Sequence, residues 1–241
     1  ALVALLLARA WRYDVVHVLS ALHSSFLISA TPPILVARLY RRKTVLNYHT
    51  GAAEDHLERW RRTAIPIMRM ADAIVVPSEV VARAFERHGL PARVLPNAIE
   101  ASRFRFRERP SLRPVFLTNR SLLARYNVEC VLRAFALIQQ RTPEARLIVA
   151  GDGPERPRLE RLARELGLRQ VSFLGWVAPE GMGELYGAAD IYLNGSDVDS
   201  APLSILEAAA AGLPVVTTDA GGIPEMVEDG VTAMVVQRGD H

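Results

Sequence analysis

One stretch decides the fold: Asp199-Ser-Ala-Pro-Leu-Ser-Ile-Leu-Glu207-Ala-Ala-Ala-Ala-Gly-Leu-Pro-Val-Val-Thr-Thr-Asp-Ala-Gly-Gly-Ile-Pro-Glu225. It predicts a helix that starts near Pro202, because a proline in the first turn loses no helical hydrogen bond. Ser200 or Asp199 is expected to cap that start. A strand follows, and then a glycine pair, Gly221-Gly222, that is expected to open another helix. The stretch therefore places two carboxylates, those of Asp199 and Glu207, around one helix start.

This helix start is typical of an anion site. The amides of Leu203 and Ser204 would lack partners within the helix, at the positive end of its dipole, where phosphate groups bind. Glu207 lies on the second turn, where a carboxylate can accept hydrogen bonds from vicinal hydroxyls, and Asp199 lies on the preceding loop. The alternative is that Asp199 only caps the helix and that Glu207 is a solvated surface carboxylate.

Short apolar strands alternate with amphipathic helices along most of the chain, a pattern that indicates βαβ units and parallel sheets. The expected strands lie near 14–18, 43–48, 73–76, 92–95, 114–118, 145–150, 170–174, 190–193, 214–217 and 233–236. A helix is predicted from Ser78 to His88, with Ser78 as its cap and Gly89 as its end. Ligands bind beyond the carboxyl ends of such strands, so the residues that follow each strand are the candidates for function.

The strands fall into two groups, separated by a polar segment rich in arginine and proline. We predict a first domain over 1–96, a linker over 97–113 and a second domain over 114–241, both domains being doubly wound parallel sheets that face a cleft. Phe104 and Phe106 are expected to anchor the linker to a domain surface. The opening helix and the closing strand suggest that both ends are truncated.

Composition excludes several classes of protein. The 241 residues are half apolar, with a net charge of +3 and a single cysteine, Cys130, which excludes an internal disulfide framework and suits a buried small side chain. A reducing compartment, and hence a cytoplasmic location, fits this content. The apolar start, residues 1–8, is too short for a membrane span. No cysteine and histidine spacing is typical of a zinc site, and the sequence calls for no metal.

Positive charge is concentrated in the first half of the chain. Residues 1–110 hold 17 Lys and Arg against 9 Asp and Glu, whereas residues 111–241 hold 12 against 17. The basic clusters, at 38–43 and around Trp60, suit an anionic membrane surface or a phosphorylated acceptor, with an ordinary solvated surface as the alternative. No nucleic-acid-binding motif accompanies the charge.

Further candidate ligand contacts follow other strands. Arg120 comes after strand 114–118 and carries a donor fork suited to phosphate oxygens, with Arg125 five residues later. Gly151 and Gly153 follow strand 145–150, where glycine allows close approach of the backbone to a ligand. Trp176 and Val177 follow strand 170–174. The glycine turn alone is weak evidence, because a tight βα connection gives the same pattern. The alternative for Arg125 is a surface arginine, and the alternative for Trp176 is packing alone.

Together these motifs resemble the donor site of retaining glycosyltransferases of family 4, which have the two-domain GT-B fold. That family carries Glu, seven residues and Glu where this chain has Asp199 and Glu207, so the first carboxylate is one methylene shorter here. The resemblance covers most of the chain and is strongest from 114 to 228. It implies a hexosyl-type transferase that moves a sugar from a UDP- or GDP-sugar to a hydroxyl acceptor, without a required cofactor.

The resemblance also assigns roles to residues. It implies that Glu207 binds the ribose, that Asp199 contacts the donor sugar, and that the backbone near Val177 pairs with the base. The diphosphate would be held by Arg120, Arg125 and the amides of Leu203 and Ser204. Gly151 and Gly153 match a Gly-x-Gly loop of the same donor site. His49, which follows strand 43–48, matches a family histidine near the acceptor and donor sugar, although a lone histidine is more often structural.

Two other classes of function remain open to comparison. A non-catalytic nucleotide-binding module, or an inactive fragment of such an enzyme, fits the absence of a glycine-rich turn after the first strand and of a closing helix. A Rossmann dehydrogenase predicts Gly-x-Gly-x-x-Gly after a strand with an acidic residue about 20 positions later, a pattern that this chain lacks. The acceptor, whether a lipid-linked group, a glycan or a small molecule, stays open.

Overall fold

A computed structural model describes residues 2–20 and 23–240. The chain divides into two compact units, Ala1–Pro96 and Asn97–His241. Each is built on its own parallel sheet, and each is described separately below.

The sheet of the first unit has the order β1-β2-β3-β4, with every pair parallel. On β2, alternate residues are buried, as expected for a strand whose neighbouring side chains face opposite sides of the sheet. The core centres on Tyr48, Phe26, Leu57 and Phe85, all fully buried. Its strands are Val15–Ser20 (β1), Lys43–Tyr48 (β2), Ala73–Val76 (β3) and Arg93–Val94 (β4), and its helices are Leu2–Arg9 (α1), His23–Ser29 (α2), Thr31–Leu39 (α3), Ala53–Arg59 (α4), Ala64–Met68 (α5) and Glu79–Arg87 (α6).

The sheet of the second unit has the order β10-β9-β8-β5-β6-β7. Its strands are Val115–Thr118 (β5), Arg146–Ala150 (β6), Val171–Gly175 (β7), Ile191–Asn194 (β8), Val215–Thr218 (β9) and Met234–Val236 (β10). Its helices are Val128–Arg141 (α7), Arg156–Glu165 (α8), Met182–Ala188 (α9) and Leu203–Ala210 (α10). The chain winds outward through β5, β6 and β7 and then returns to place β8 on the other side of β5. This reversal is the topological switch point at which doubly wound sheets bind ligands.

Helices cover both faces of the second sheet. On β5, Phe116 packs into the cluster that contains Phe135 and Leu159, whereas Leu117 packs into the cluster that contains Tyr186 and Ile205. Adjacent residues facing opposite cores explain why β5 reads as a continuous apolar run rather than an alternating one. The sheet is therefore buried on both sides, and its strand ends remain for ligand contacts.

The segment before β5 packs on the second unit. Phe104 is buried and makes an edge contact with Tyr186, their ring centres 5.6 Å apart, whereas Phe106 is exposed. Three arginines from this segment meet one buried carboxylate, that of Asp190 just before β8: they are Arg107, Arg109 and Arg113. This cluster ties the segment to the end of α9.

The strand positions agree with the sequence prediction to within about two residues, while several local expectations are wrong. The Gly221-Gly222 pair opens only a single 3-10 turn, Ile223–Glu225, rather than a helix. Gly221 has left-handed backbone, with φ of +54°, and Pro224 inside the turn has no N–H to extend a helical ladder. Helix α6 starts and ends as expected, with Gly89 at φ +66°, but Ser78 makes no side-chain cap hydrogen bond.

Candidate functional site

The switch point of the second unit brings together three of the predicted site residues. Arg120, two positions after β5, pairs through Nη2 with Oδ2 of Asp199 on the loop after β8. Its Nη1 donates to Ser204 Oγ at 3.1 Å, and Ser204 lies on the first turn of α10. Adjacent parallel strands deliver these loops to the same edge, so residues 79 and 84 positions apart in sequence become neighbours.

Asp199 is held firmly in this cluster. Its side chain is almost wholly buried, Oδ1 accepts from the Ser200 amide at 2.9 Å, and Oδ2 lies 3.4 Å from Ser196 Oγ. Burial raises the pKa of Asp199, and the positive charge of Arg120 opposes that rise. The carboxylate is therefore part of a fixed network and not a mobile surface group.

A chain of buried hydroxyls and amides supports the loop after β8. Ser196 Oγ donates to Asn194 Oδ1 at 2.8 Å, and Asn194 Nδ2 donates to Thr217 Oγ1 at 3.0 Å. Thr218 Oγ1 donates back to the Ser196 carbonyl at 2.5 Å. Because these groups lie at the ends of β8 and β9, they fix the loop that carries Asp199 to the sheet itself.

Helix α10 begins at Leu203, and its N-cap position is Pro202, which makes no side-chain cap bond. The expectation that Asp199 or Ser200 caps this helix is wrong, because the Asp199 carboxylate is turned toward Arg120. Within the described part of the chain, the amides of Leu203 and Ser204 donate to no acceptor. These two N–H groups are therefore uncapped at the positive end of the helix, as an anion site requires.

Glu207 lies one turn into α10 and is half-buried. Its Oε2 accepts a hydrogen bond from the Tyr186 hydroxyl at 2.9 Å, and the same hydroxyl lies 3.1 Å from the Ser204 carbonyl oxygen. Burial raises the pKa of Tyr186 well above its ordinary value, so this hydroxyl stays a donor. Sequence reasoning missed Tyr186, since a tyrosine on an amphipathic helix gives the same pattern as ordinary core packing.

Tyr126 is a second residue that the sequence did not single out. Its ring centre lies 4.2 Å from Arg120 Cζ and 4.9 Å from Arg125 Cζ, so both predicted phosphate-binding arginines contact one aromatic ring. Arg120 is nearly buried, with 11% of its side chain exposed, whereas Arg125 is exposed on a 3-10 turn. The two arginines therefore have different access to a ligand from solvent.

A groove of about 180 Å³ adjoins Arg120. It is lined by residues that follow β5, β6 and β7, among them Asn119, Arg120, Gly151, Trp176 and Val177. The Trp176 side chain is 73% exposed, so it contributes little to packing. The groove contains the position predicted for the nucleobase, the backbone at Val177.

The glycines after β6 pack against the loop that carries Arg120. A Cβ at Gly151 would lie 2.1 Å from the Arg120 carbonyl oxygen, and one at Gly153 would lie 2.4 Å from that of Leu122. Gly221 plays the same part beside Asp199, where a Cβ would lie 1.9 Å from the carbonyl oxygen. Each of these glycines thus permits close backbone packing behind a predicted site residue.

His49 follows β2 in the first unit, and its ring is exposed. Partial desolvation lowers the pKa of His49, and the nearby His17 lowers it further. The ring therefore favours its neutral form near pH 7. Its part in catalysis stays a prediction.

The described part of the chain contains neither a metal-binding cluster nor a membrane-spanning helix. Among residues 2–20 and 23–240, no group of three or more histidine, cysteine, aspartate or glutamate side chains is placed to hold a metal ion. In that same part of the chain, every helix is too short or too polar to cross a bilayer. Cys130 is buried on α7, as its apolar neighbours predict, and burial raises the pKa of its thiol.

Family models match nearly the whole chain. One described as "Glycosyl transferases group 1" matches residues 100–241, and one described as "Glycosyltransferase Family 4" matches residues 1–103. The chain belongs to the glycosyl transferases group 1 family. The resemblance found in the sequence motifs is thereby confirmed.

Individual relatives of this group 1 transferase share about a third of its residues or fewer. It is 33% identical over 164 residues to the GDP-mannose-dependent alpha-(1-6)-phosphatidylinositol monomannoside mannosyltransferase of Mycolicibacterium smegmatis, covering 61% of this chain and 43% of that protein. It is 26% identical to the alpha-monoglucosyldiacylglycerol synthase of Streptococcus pneumoniae, covering 88% and 53%. The chain thus spans about half the length of these relatives.

A solved structure shares the fold. The crystal structure of Anabaena HepE in complex with UDP-glucose superposes with a TM-score of 0.84 at 24% identity, covering 99% of this chain and 69% of HepE. The prediction of two Rossmann-like parallel-sheet domains of GT-B type is therefore confirmed.

Proposed function

We propose that this group 1 transferase moves a sugar from a nucleoside diphosphate donor to a hydroxyl acceptor, with retention of anomeric configuration. The observation that carries the proposal is the cluster of Arg120, Asp199, Ser204 and Glu207 at the switch point of the second sheet. It combines phosphate-binding and hydroxyl-binding groups at one strand edge. One similar protein is named as GDP-mannose-dependent and another is solved in complex with UDP-glucose, and both of these compounds are nucleoside diphosphate sugars.

The diphosphate is assigned to the positive end of this cluster. The free amides of Leu203 and Ser204 supply two donors at a helix N-terminus, and Arg120 and the exposed Arg125 supply charge nearby. Gly151 and Gly153 hold the loop that positions Arg120. As the bond to the sugar breaks, these groups stabilise the negative charge that develops on the leaving diphosphate.

The neutral parts of the donor are assigned to the flanking groups. Glu207, fixed by the Tyr186 hydroxyl, accepts hydrogen bonds from the ribose hydroxyls. The groove beside Val177 receives the nucleobase. Asp199 faces the donor sugar from the loop after β8, on the side of the diphosphate.

Retention follows from attack on the face that the diphosphate leaves. The bond between the anomeric carbon and the phosphate oxygen breaks, the acceptor oxygen bonds to that carbon, and the acceptor proton passes to the departing diphosphate oxygen. No dedicated enzymic base is required for this step. His49, neutral near pH 7, is assigned a positioning role toward the sugar or acceptor. Two relatives are named for alpha products, which fits retention from an alpha-linked donor.

The acceptor is assigned to the first unit, with a lipid-linked hydroxyl as the favoured class. The two relatives named above act on a phosphatidylinositol mannoside and form a glucosyldiacylglycerol. Exposed Arg61 and Arg62 follow Trp60, a combination suited to peripheral contact with an anionic membrane. Neither a cofactor nor a metal is needed in this scheme.

Binding and turnover are tested together. Calorimetric titration of the intact chain with UDP and with GDP should show binding of one of them, and the matching nucleotide sugar should be hydrolysed slowly without an acceptor. Binding without any hydrolysis or transfer would favour the non-catalytic module or an inactive fragment. Failure to bind either nucleotide would overturn the proposed donor site.

A further inference from the structure

The guanidinium of Arg120 is already occupied within the chain. Nη2 pairs with Asp199, Nη1 donates to Ser204 Oγ at 3.1 Å, and Cζ lies 4.2 Å from the centre of the Tyr126 ring. Only 11% of the Arg120 side chain is exposed. A diphosphate that uses this guanidinium must therefore share or displace a contact that already exists.

Of these three contacts, Asp199 is the anion. A carboxylate and a phosphate seek the same donor fork of an arginine, so the two compete when both are close to it. The Asp199 carboxylate is also fixed by the Ser200 amide at 2.9 Å and by Ser196 Oγ at 3.4 Å. It is thus held in the pairing position, and a ligand has to overcome that arrangement.

Resting on the proposed function, we infer that Asp199 competes with the donor diphosphate for Arg120, so that their ion pair weakens nucleotide binding. Asp199 therefore lowers the nucleotide affinity, whereas a residue that only contacts the donor raises it. The exposed Arg125, beside the same Tyr126 ring, supplies the charge that a diphosphate meets before the pair opens. The ion pair made by the loop after β8 therefore lowers the affinity for the donor.

The test is calorimetric titration with UDP and with GDP, which carry the diphosphate without the transferred sugar and so leave out any contact of Asp199 with that sugar. Asp199→Asn removes the charge and should tighten binding about tenfold, the order expected for one close charge pair. Asp199→Glu keeps the charge but shifts the carboxylate by one methylene from its Ser196 and Ser200 contacts, and should tighten binding about threefold. Circular dichroism and thermal unfolding check that each variant is folded.

Asp197→Asn is the matched control. Asp197 lies on the same loop, carries the same charge and accepts from Asn127 Nδ2 at 3.0 Å rather than from Arg120. The Asp197→Asn variant should bind UDP and GDP with the same affinity as the unaltered chain. A gain in affinity in Asp199→Asn would then not be a general effect of removing a charge.

The outcomes separate this inference from the proposal on which it rests. Unchanged or weaker binding in Asp199→Asn overturns the competition, and if that variant does not fold, the same result in Asp199→Glu overturns it. If neither the unaltered chain nor Asp197→Asn binds UDP or GDP, the donor site itself fails, and the competition fails with it.

Discussion

At the residue scale, the site depends on side chains whose partners are distant in sequence. Glu207 is oriented by Tyr186 from α9, and Arg120 is oriented by Asp199, Ser204 and Tyr126. The carboxylates and arginines were predictable because their spacing follows strand ends. Their tyrosine partners were not, since no local pattern distinguishes a buried hydroxyl that positions a carboxylate from one that packs in a core.

Removing one hydroxyl should weaken the ribose contact. Tyr186→Phe deletes the donor to Glu207 Oε2 and leaves the ring in place. We expect UDP or GDP affinity to fall about fivefold, the equivalent of about 1 kcal/mol for one hydrogen bond. The control is Tyr40→Phe, whose hydroxyl donates to the Leu7 carbonyl at 2.8 Å in the first unit. Equal affinities in the two variants would show that Tyr186 does not position Glu207.

A single methyl group at Gly221 should disturb the Asp199 loop. Its Cβ would lie 1.9 Å from the Asp199 carbonyl oxygen, whereas a Cβ at Gly230 meets nothing within 4 Å at a similarly left-handed φ of +72°. Gly230→Ala should cost about 1 kcal/mol for the backbone conformation alone. Gly221→Ala should cost about 2 kcal/mol more because of the collision. Urea unfolding measures both, and similar losses would contradict the close packing.

At the element scale, the segment before β5 is fixed by one carboxylate. Asp190 is fully buried and accepts from Arg107, Arg109 and Arg113, and Arg109 also donates to the Ala211 carbonyl at 2.7 Å. Burial alone would raise the pKa of Asp190, but the hydrogen bonds from Arg113 and Arg107 outweigh it and hold the pKa well below its ordinary value. The carboxylate therefore stabilises the second unit in its charged form.

Asp190→Asn should destabilise the second unit by about 3–5 kcal/mol at pH 7, because it leaves the charge of the buried Arg109 uncompensated. Folding lowers the pKa of this carboxyl, so its charged form stabilises the folded state. That stabilisation is fully present above the pKa of the unfolded state, about 4, and is lost as the pH falls toward the lower pKa of the folded state. The difference between variant and unaltered chain should therefore shrink below about pH 4. Urea unfolding at pH 7 and pH 3 checks this, and a constant difference would contradict the ionised role.

At the scale of the whole molecule, the sequence was most informative about strands and least about contacts between loops. Ten apolar runs between glycine, proline and polar residues located the strands to within about two residues, because buried parallel strands need such runs. The direction of the Asp199 side chain could not be predicted, since capping the following helix is a local option, whereas Arg120 is 79 positions away in sequence. Tertiary placement of β5 beside β8 decides between them.

The central claim is that the second unit binds a nucleoside diphosphate through Arg120 and Glu207. The most direct measurement is the affinity for UDP and GDP of Arg120→Ala and Glu207→Ala, beside the matched surface variants Arg161→Ala on α8 and Glu184→Ala on α9. The affinity of each site variant should fall roughly tenfold or more, as expected when hydrogen bonds to charged groups are lost. The folded surface variants should keep full affinity. Unchanged affinity in both site variants would contradict the claim.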